Sequence, residues 1–230
     1  MHIPDGFLDP KMSGGLLGAA AAILGYCVVQ VVRVVTALVP RQVLATVGNV
    51  VGNVKLQGQR VLTQIGGEKL RKMGMVAAWI FAAQMFNFPI NSGTSGHLVG
   101  GVFACVLLGP FAGAVVIAVV LSVQALFFAD GGILALGANV INMAVVGCIA
   151  SYYIYQGLKR FLPEILSIAV AAWFSVVLAA LACSLEVGLS GTIGLQEVTT
   201  AMLTVHAVIG VAEAVITVLM LNLFTRSYQS

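Results

Sequence analysis

The sequence predicts an all-α integral membrane protein, a single bundle of about seven transmembrane helices. Hydrophobic residues make up 60% of the chain, charged residues only 8%, and the mean hydropathy is +1.06. A soluble domain of 230 residues cannot bury this much apolar surface. Because a spanning helix needs about 20 apolar residues, the length leaves little room for an extramembrane domain, and residues 1–230 form one domain.

The apolar stretches can be followed in order along the chain. A loop of small residues at 91–97 precedes a short apolar run, and a Gly-Pro break at 109–110 separates that run from the next span. An Asp-Gly-Gly turn follows at 130–132. The predicted spans are residues 14–38, 73–88, 98–108, 111–128, 137–155, 163–185 and 201–224.

Basic residues set the predicted orientation of this bundle. The segment 40–72, Lys159, Arg160 and Arg226 all fall on one side of it. The positive-inside rule assigns that side to the cytoplasm. We therefore expect residues 40–72 to form a cytoplasmic basic linker, the C-terminus to be cytoplasmic and the N-terminus to lie outside.

The same helix count places all three histidines at or near the outer face. His2 precedes the first span, His97 lies in the loop of small residues, and His206 is near the outer end of the last span. Ionisable residues in such apolar chains are expensive and usually functional. Convergence of the three imidazoles is thus a prediction of topology alone.

Composition also excludes some functions. The formal charge of +3 comes from basic residues spread thinly along apolar helices, so no nucleic-acid partner is expected. The cysteines stand singly in apolar runs, without a CxxC pair, which predicts buried thiols rather than disulfides or a zinc site. They are Cys27, Cys105, Cys148 and Cys183.

The first two residues form a candidate metal chelator. The chain opens with Met1-His2 and lacks the basic start of a signal peptide, so we expect the α-amine of Met1 to be retained. The amine, the His2 backbone nitrogen and His2 Nδ1 can close a five- and a six-membered ring around one ion. Displacing an amide proton favours Ni²⁺ or Cu²⁺ over Zn²⁺ or Mg²⁺. The imidazole of His97 is the candidate for the fourth donor.

Five further residues are candidates for supporting this site. His206 and Glu213 are two turns apart on one helix face, and either orient the site or hydrogen-bond a neighbouring helix. Asn139 and Asn142 either line a polar cavity or bond across helices. Ser95 in the loop of small residues either caps the following helix or is a nucleophile.

Several blocks of the sequence resemble the cobalt/nickel substrate-binding components of energy-coupling-factor transporters, the CbiM/NikM type. The opening Met-His-Ile-Pro-Asp-Gly-Phe-Leu and the Gly-Thr-Ser-Gly-His block at 93–97 are the most specific together. The other similar blocks, in the family's order, are residues 81–89, 130–132, 136–143 and 206–210.

The resemblance implies a seven-helix component of the prokaryotic plasma membrane whose N-terminus tucks into the bundle from outside. It implies that Ni²⁺ or Co²⁺ is held by the terminal amine of Met1, the amide and imidazole of His2, and the imidazole of His97. It also implies a transmembrane scaffold subunit, ATP-binding cassette ATPases and a small accessory membrane subunit as partners. Segment 40–72 departs from the pattern, since it is longer than the short basic link of the family.

We therefore expect a non-enzymatic subunit that captures Ni²⁺ or Co²⁺ as transported substrate for an ATP-driven complex. The sequence contains no GxxxxGK[ST] motif, so the ATPase must be a separate chain. One alternative is an intramembrane serine protease that uses Ser95 and His206. Another is a stand-alone metal permease. Nickel and cobalt are not distinguished by the sequence.

Overall fold

The computed structural model describes residues 2–40, 58–86, 88–89 and 95–227. Within them, five helices are long and apolar enough to cross a membrane. The chain is therefore a multi-pass membrane protein, as predicted. The five candidate spans are Pro10–Val35, Pro110–Phe127, Leu136–Leu158, Glu164–Leu189 and Leu195–Phe224.

Short and less apolar elements complete the bundle. Helix α3 has eight residues, too few to span a bilayer alone. The described elements are, in order, α1 (Pro10–Val35), β1 (Thr36–Pro40), β2 (Gly58–Leu62), α2 (Gln64–Gln84), β3 (Phe88–Pro89), β4 (Ser95–Gly96), α3 (Gly101–Leu108), α4 (Pro110–Phe127), α5 (Leu136–Val140), a π-helix (Ile141–Ala150), α6 (Ser151–Leu158), α7 (Glu164–Leu189) and α8 (Leu195–Ser227).

The helical bundle is confirmed, but its details differ from the prediction. Helix α5, the π-helix and α6 follow one another without a break and form one continuous helical span, Leu136–Leu158. The two small antiparallel sheets were not predicted. The count of seven spans and the orientation of the termini stay predictions, because two of the helical segments are too short or too polar to be assigned as spans by length and composition.

Helix α1 begins earlier than predicted because its start is capped. Asp9 is the N-cap, and its carboxylate accepts the backbone N–H groups of Lys11 at 2.9 Å and Met12 at 3.4 Å. Pro10 occupies the first turn, where a missing N–H costs nothing. The cap therefore fixes where the N-terminal segment ends and the bundle begins.

The boundary of the second helix also differs from the prediction. After α1, strand β1 pairs antiparallel with β2, with Thr36 opposite Leu62. The β-branched residues at the end of α1 and the proline at position 40 favour extended backbone there. Helix α2 then begins at Gln64, so the end of the predicted 40–72 linker is helical. Residues 41–57 of that linker lie outside the described residues.

The π-helix lies at the centre of the bundle and approaches α3 closely. A Cβ atom added at Gly101 would lie 2.0 Å from the carbonyl oxygen of Gly147. Only glycine therefore allows α3 to pack against the π-helix at this point. Such wide turns are rare and often occur near functional sites.

All four cysteines are buried and unpaired, as predicted. They therefore serve as small apolar groups in the packed interior.

We predict that Gly101→Ala lowers the stability of the bundle. The new methyl group meets backbone atoms of Gly147, which cannot rotate away, so we expect a loss of about 1–3 kcal/mol. Thermal unfolding of the detergent-solubilised chain measures it. Gly25→Ala in α1 is the matched control, because no atom lies within 4 Å of its added Cβ. Equal unfolding temperatures for the two variants would contradict the packing argument.

Candidate metal centre

The N-terminal segment enters the bundle and is buried there. His2 is only 3% exposed and Ile3 is fully buried. The Ile3 N–H donates to Asn139 Oδ1 at 2.8 Å, and Asn139 Nδ2 donates back to the Ile3 carbonyl at 3.2 Å. The Gly132 N–H donates to the same carbonyl at 2.9 Å. Both the N–H and the C=O of Ile3, next to His2, are thus hydrogen-bonded, as they would be between neighbouring β-strands.

Asp5 ties the same segment to the start of α5. Its carboxylate accepts the N–H groups of Ile133 at 3.2 Å, Leu134 at 2.8 Å and Ala135 at 3.3 Å. These donors precede the first residue of the helix and have no partner within it. Asp5 therefore acts as a helix cap supplied from the other end of the chain.

His2 is oriented by an acid in the Asp-Gly-Gly turn. Its Nδ1 lies 2.8 Å from Asp130 Oδ1. Burial lowers the pKa of His2, although the hydrogen bond to Asp130 acts in the opposite direction. Burial is the largest single influence on Asp130 and acts to raise its pKa, but the hydrogen bond to His2 and the attraction of neighbouring positive charges together outweigh it, and the pKa is lowered. We conclude that a neutral imidazole donates its Nδ1–H to an ionised carboxylate.

His97 is completely buried between β4 and α3. Its Nδ1 lies 2.7 Å from the carbonyl oxygen of Leu98, so Nδ1 carries the proton and Nε2 carries the lone pair. Burial lowers the pKa of His97 well below its ordinary value. The ring is therefore neutral at pH 7, as a metal ligand must be.

The two imidazoles meet inside the bundle. The ring centroids of His2 and His97 are 4.3 Å apart, and the rings are tilted by 44°. In the described part of the chain, neither Nε2 atom has a hydrogen-bond partner. Two neighbouring rings thus each have a buried nitrogen without a partner in this part of the chain, which is unfavourable unless a cation or another polar group joins them.

The described side chains do not complete a metal-ligand set around the two histidines. Among the residues that the structure describes, no three His, Cys, Asp or Glu side chains form a group that could hold a metal ion. Met1 lies outside the described residues, so its predicted role is untested.

Glu213 supports the loop that carries His97. It is 2% exposed, and its two oxygens accept the N–H groups of Val99 at 2.9 Å and Gly100 at 2.8 Å. Gln84 Nε2 donates to the carbonyl of Val99 at 2.8 Å. The predicted link between Glu213 and the site is therefore through the backbone after His97.

The remaining candidates have other contacts. His206 is buried, and its Nδ1 bonds the Met202 carbonyl of its own helix at 2.8 Å. Asn142 donates to Glu186 Oε2 at 2.6 Å, which is the cross-helix alternative. The backbone of Ser95 pairs with β3, but its side chain lies outside the described residues. Its predicted roles as a cap or a nucleophile therefore stay predictions.

Residues 2–230 match the family described as the cobalt uptake substrate-specific transmembrane region, CbiM. The chain belongs to this family. The match includes His2, His97 and all the residues described above as hydrogen-bonded to their segments.

Relatives of this CbiM-family chain are transport proteins by name. It is 42% identical to a putative fused nickel transport protein NikMN of Archaeoglobus fulgidus over 94% of its own length and 63% of the relative's. It is 37% identical to a putative metal transport protein of Haloquadratum walsbyi over 94% of its own length and 86% of that protein. The chain thus spans less than two-thirds of the fused relative.

A solved structure has the same fold. The crystal structure of a truncated transition-metal transporter is 30% identical, covers 99% of both chains and superposes with a TM-score of 0.80. The similarity therefore extends over nearly the whole chain.

Three supporting residues of this family member were missed at the sequence level. Asp130 lies in a turn that was predicted on the same side of the bundle as His2, so the sequence offered a reason to expect contact between the two. Gln84 is a polar residue in an apolar helix, a weaker signal. The capping role of Asp5 had no local signal, because its partners are more than a hundred residues away.

We predict that the metal-free chain loses stability as the pH falls below about 6.5. His2 and His97 have folded-state pKa values below that of the unfolded chain, so the unfolded chain binds more protons in this range. The contribution of Asp130 disappears only at a lower pH, since its pKa starts near 3.8. Thermal unfolding at about pH 7.5 and 5 measures the loss, which should be smaller in His97→Gln. An identical loss in wild type and variant would contradict it.

Proposed function

We propose that the chain captures Ni²⁺ or Co²⁺ as the substrate-binding membrane subunit of an ATP-driven uptake transporter of the energy-coupling-factor type. One observation carries the proposal. The imidazoles of His2 and His97, from distant parts of the sequence, lie in the interior with ring centroids 4.3 Å apart, and His97 Nε2 has no hydrogen-bond partner among the described residues. Neutral imidazoles are ligands of choice for late first-row transition metals.

The proposed ligands are the amine of Met1, the backbone nitrogen and imidazole of His2, and the Nε2 of His97. The first three donors form two fused chelate rings, and His97 completes a square of nitrogen atoms. A chelate through His2 Nδ1 requires the neutral ring to carry its proton on Nε2 instead, and it exchanges the hydrogen bond to Asp130 for a metal–nitrogen bond. Asp130 then lies beside the bound cation, where a carboxylate is electrostatically favourable.

Nitrogen donors in this arrangement select Ni²⁺ and Co²⁺ over hard cations such as Mg²⁺. The Archaeoglobus relative is named for nickel and the family for cobalt uptake. Both ions are therefore proposed as substrates. Availability in the cell decides between ions of similar affinity.

The proposed partners follow from the family resemblance. The description of a substrate-specific region indicates one component of an uptake system, and the fused relative joins it to further chain. We propose a transmembrane scaffold, ATP-binding cassette ATPases and an accessory membrane subunit, with residues 40–72 as the cytoplasmic linker. No contact within the described residues favours the serine protease or the permease.

We predict that His97→Ala weakens Ni²⁺ binding by more than about 100-fold, because loss of a ligand exceeds the roughly 10–100-fold effect of its outer partners. Calorimetry of the purified chain measures the affinity, with His2→Ala in parallel. Ser184→Ala is the control, since it removes a buried hydroxyl that bonds the Ala180 carbonyl of its own helix. Wild-type affinity in His97→Ala would refute the metal centre.

We also predict that one extra residue before Met1 abolishes tight binding. The extension turns the proposed amine ligand into a peptide nitrogen and moves the new amine away from His97. A variant with one residue added after Ser230 is the control and should bind as wild type. Equal Ni²⁺ affinity in both extended chains would exclude the amine as a ligand.

A further inference from the structure

The peptide group that follows Leu98 is hydrogen-bonded at both ends. Its carbonyl oxygen accepts the Nδ1–H of His97 at 2.7 Å. Its N–H, which belongs to Val99, donates to Glu213 Oε2 at 2.9 Å. A single peptide group thus connects the carboxylate of α8 to the imidazole of the proposed metal ligand.

The next peptide group is held in the same way. Its carbonyl oxygen, on Val99, accepts Gln84 Nε2 at 2.8 Å, and its N–H, on Gly100, donates to Glu213 Oε1 at 2.8 Å. Both oxygens of Glu213 are acceptors, as in an ionised carboxylate. The loop is therefore fixed in position and rotation by side chains of α2 and α8.

The backbone itself explains why a carboxylate is needed at this point. Gly100 is the N-cap of α3, adopts a left-handed φ of 72°, and offers no side-chain cap. The first N–H groups of a helix lack partners within it, and a buried donor that stays unpaired, such as the N–H of the fully buried Val99, is unfavourable. Glu213 supplies the missing acceptor and places negative charge where the helix dipole favours it.

We propose that Glu213 is a positioning residue that acts on His97 through the Leu98–Val99 peptide group. The proposal rests on the metal-binding function above. Metal-ligating histidines commonly donate their second ring N–H to a carboxylate or a backbone carbonyl, which fixes the tautomer and strengthens the ligating nitrogen. Here the carbonyl is itself polarised by a carboxylate, because hydrogen bonds in a chain reinforce one another. Glu213 thus keeps the Nε2 lone pair of His97 available and raises its donor strength.

A purely structural role for Glu213 makes a different prediction. If it only caps α3, its loss reduces stability and leaves the electronic properties of a bound ion unchanged. If it acts on His97, its loss also weakens the ligand field of the ion. The d–d absorption of bound Co²⁺ or Ni²⁺ therefore separates the two roles.

The test is Glu213→Gln, which keeps the size of the side chain but removes its charge and one acceptor. Calorimetry with Ni²⁺ and Co²⁺ should show an affinity lower by about 10–100-fold, and the d–d bands should move to lower energy. Glu186→Gln is the matched control, because Glu186 is also a buried acid but bonds Asn142. It should keep the affinity and the spectrum of wild type.

A double variant tests the route. In a His97→Ala background, Glu213→Gln should cause no further loss of affinity, because its effect passes through the missing imidazole. Additive losses would overturn the proposal. So would a wild-type spectrum and affinity in Glu213→Gln, or equal losses in the two glutamine variants. If His97→Ala itself binds as wild type, the metal-binding function fails instead, so the two failures are distinguishable.

A measurement on the wild-type chain keeps the proposal testable if Glu213→Gln does not fold. Nitrogen-15 NMR of histidine-labelled, metal-free protein reports which ring nitrogen carries the proton. We expect His97, assigned by comparison with His97→Gln, to be protonated at Nδ1 and unprotonated at Nε2. Protonation at Nε2 would overturn the proposal.

Discussion

Non-helical backbone inside a membrane must have its N–H and C=O groups satisfied by the protein, because lipid offers no partners. This constraint accounts for the hydrogen bonds around the candidate metal centre. The segment that carries His2 is held by Asn139 and Asp5, and the segment that carries His97 is held by Glu213 and Gln84. Each of these four polar side chains thus bonds a stretch of irregular backbone, and together they fix the segments that carry the two imidazoles.

The carboxylates near the candidate metal centre all accept hydrogen bonds from N–H groups. The carboxylates of Asp5 and Glu213 accept backbone N–H groups, and that of Asp130 accepts an imidazole N–H. Their negative charge is therefore distributed over fixed dipoles. The two neighbouring imidazoles are neutral, and neutral ring nitrogens suit a transition-metal ion better than an alkali or alkaline-earth ion.

The sequence was sufficient for the membrane-bundle class and for bringing His2 and His97 to one place, because the lengths and order of the apolar runs carry that information. It was insufficient where a long-range contact decides the structure. The β1–β2 pairing, the early start of α2 at Gln64 and the π-helix depend on tertiary packing. Glu213 was identified as a candidate, but its partner could not be, since nothing local relates it to Val99.

The double hydrogen bond between Asn139 and Ile3 involves only the backbone of Ile3. The side-chain amide of Asn139 bonds backbone atoms as a peptide group would, so these hydrogen bonds depend on the position of the residue along the chain and not on its side chain. The two hydrogen bonds therefore fix the position of the Ile3 backbone in the bundle. The number of residues before Ile3, rather than their chemistry, then determines which atoms enter the bundle. A substitution at position 3 leaves both of these backbone hydrogen bonds possible, provided that the new side chain fits the buried site, whereas a change in spacing would displace the imidazole of His2.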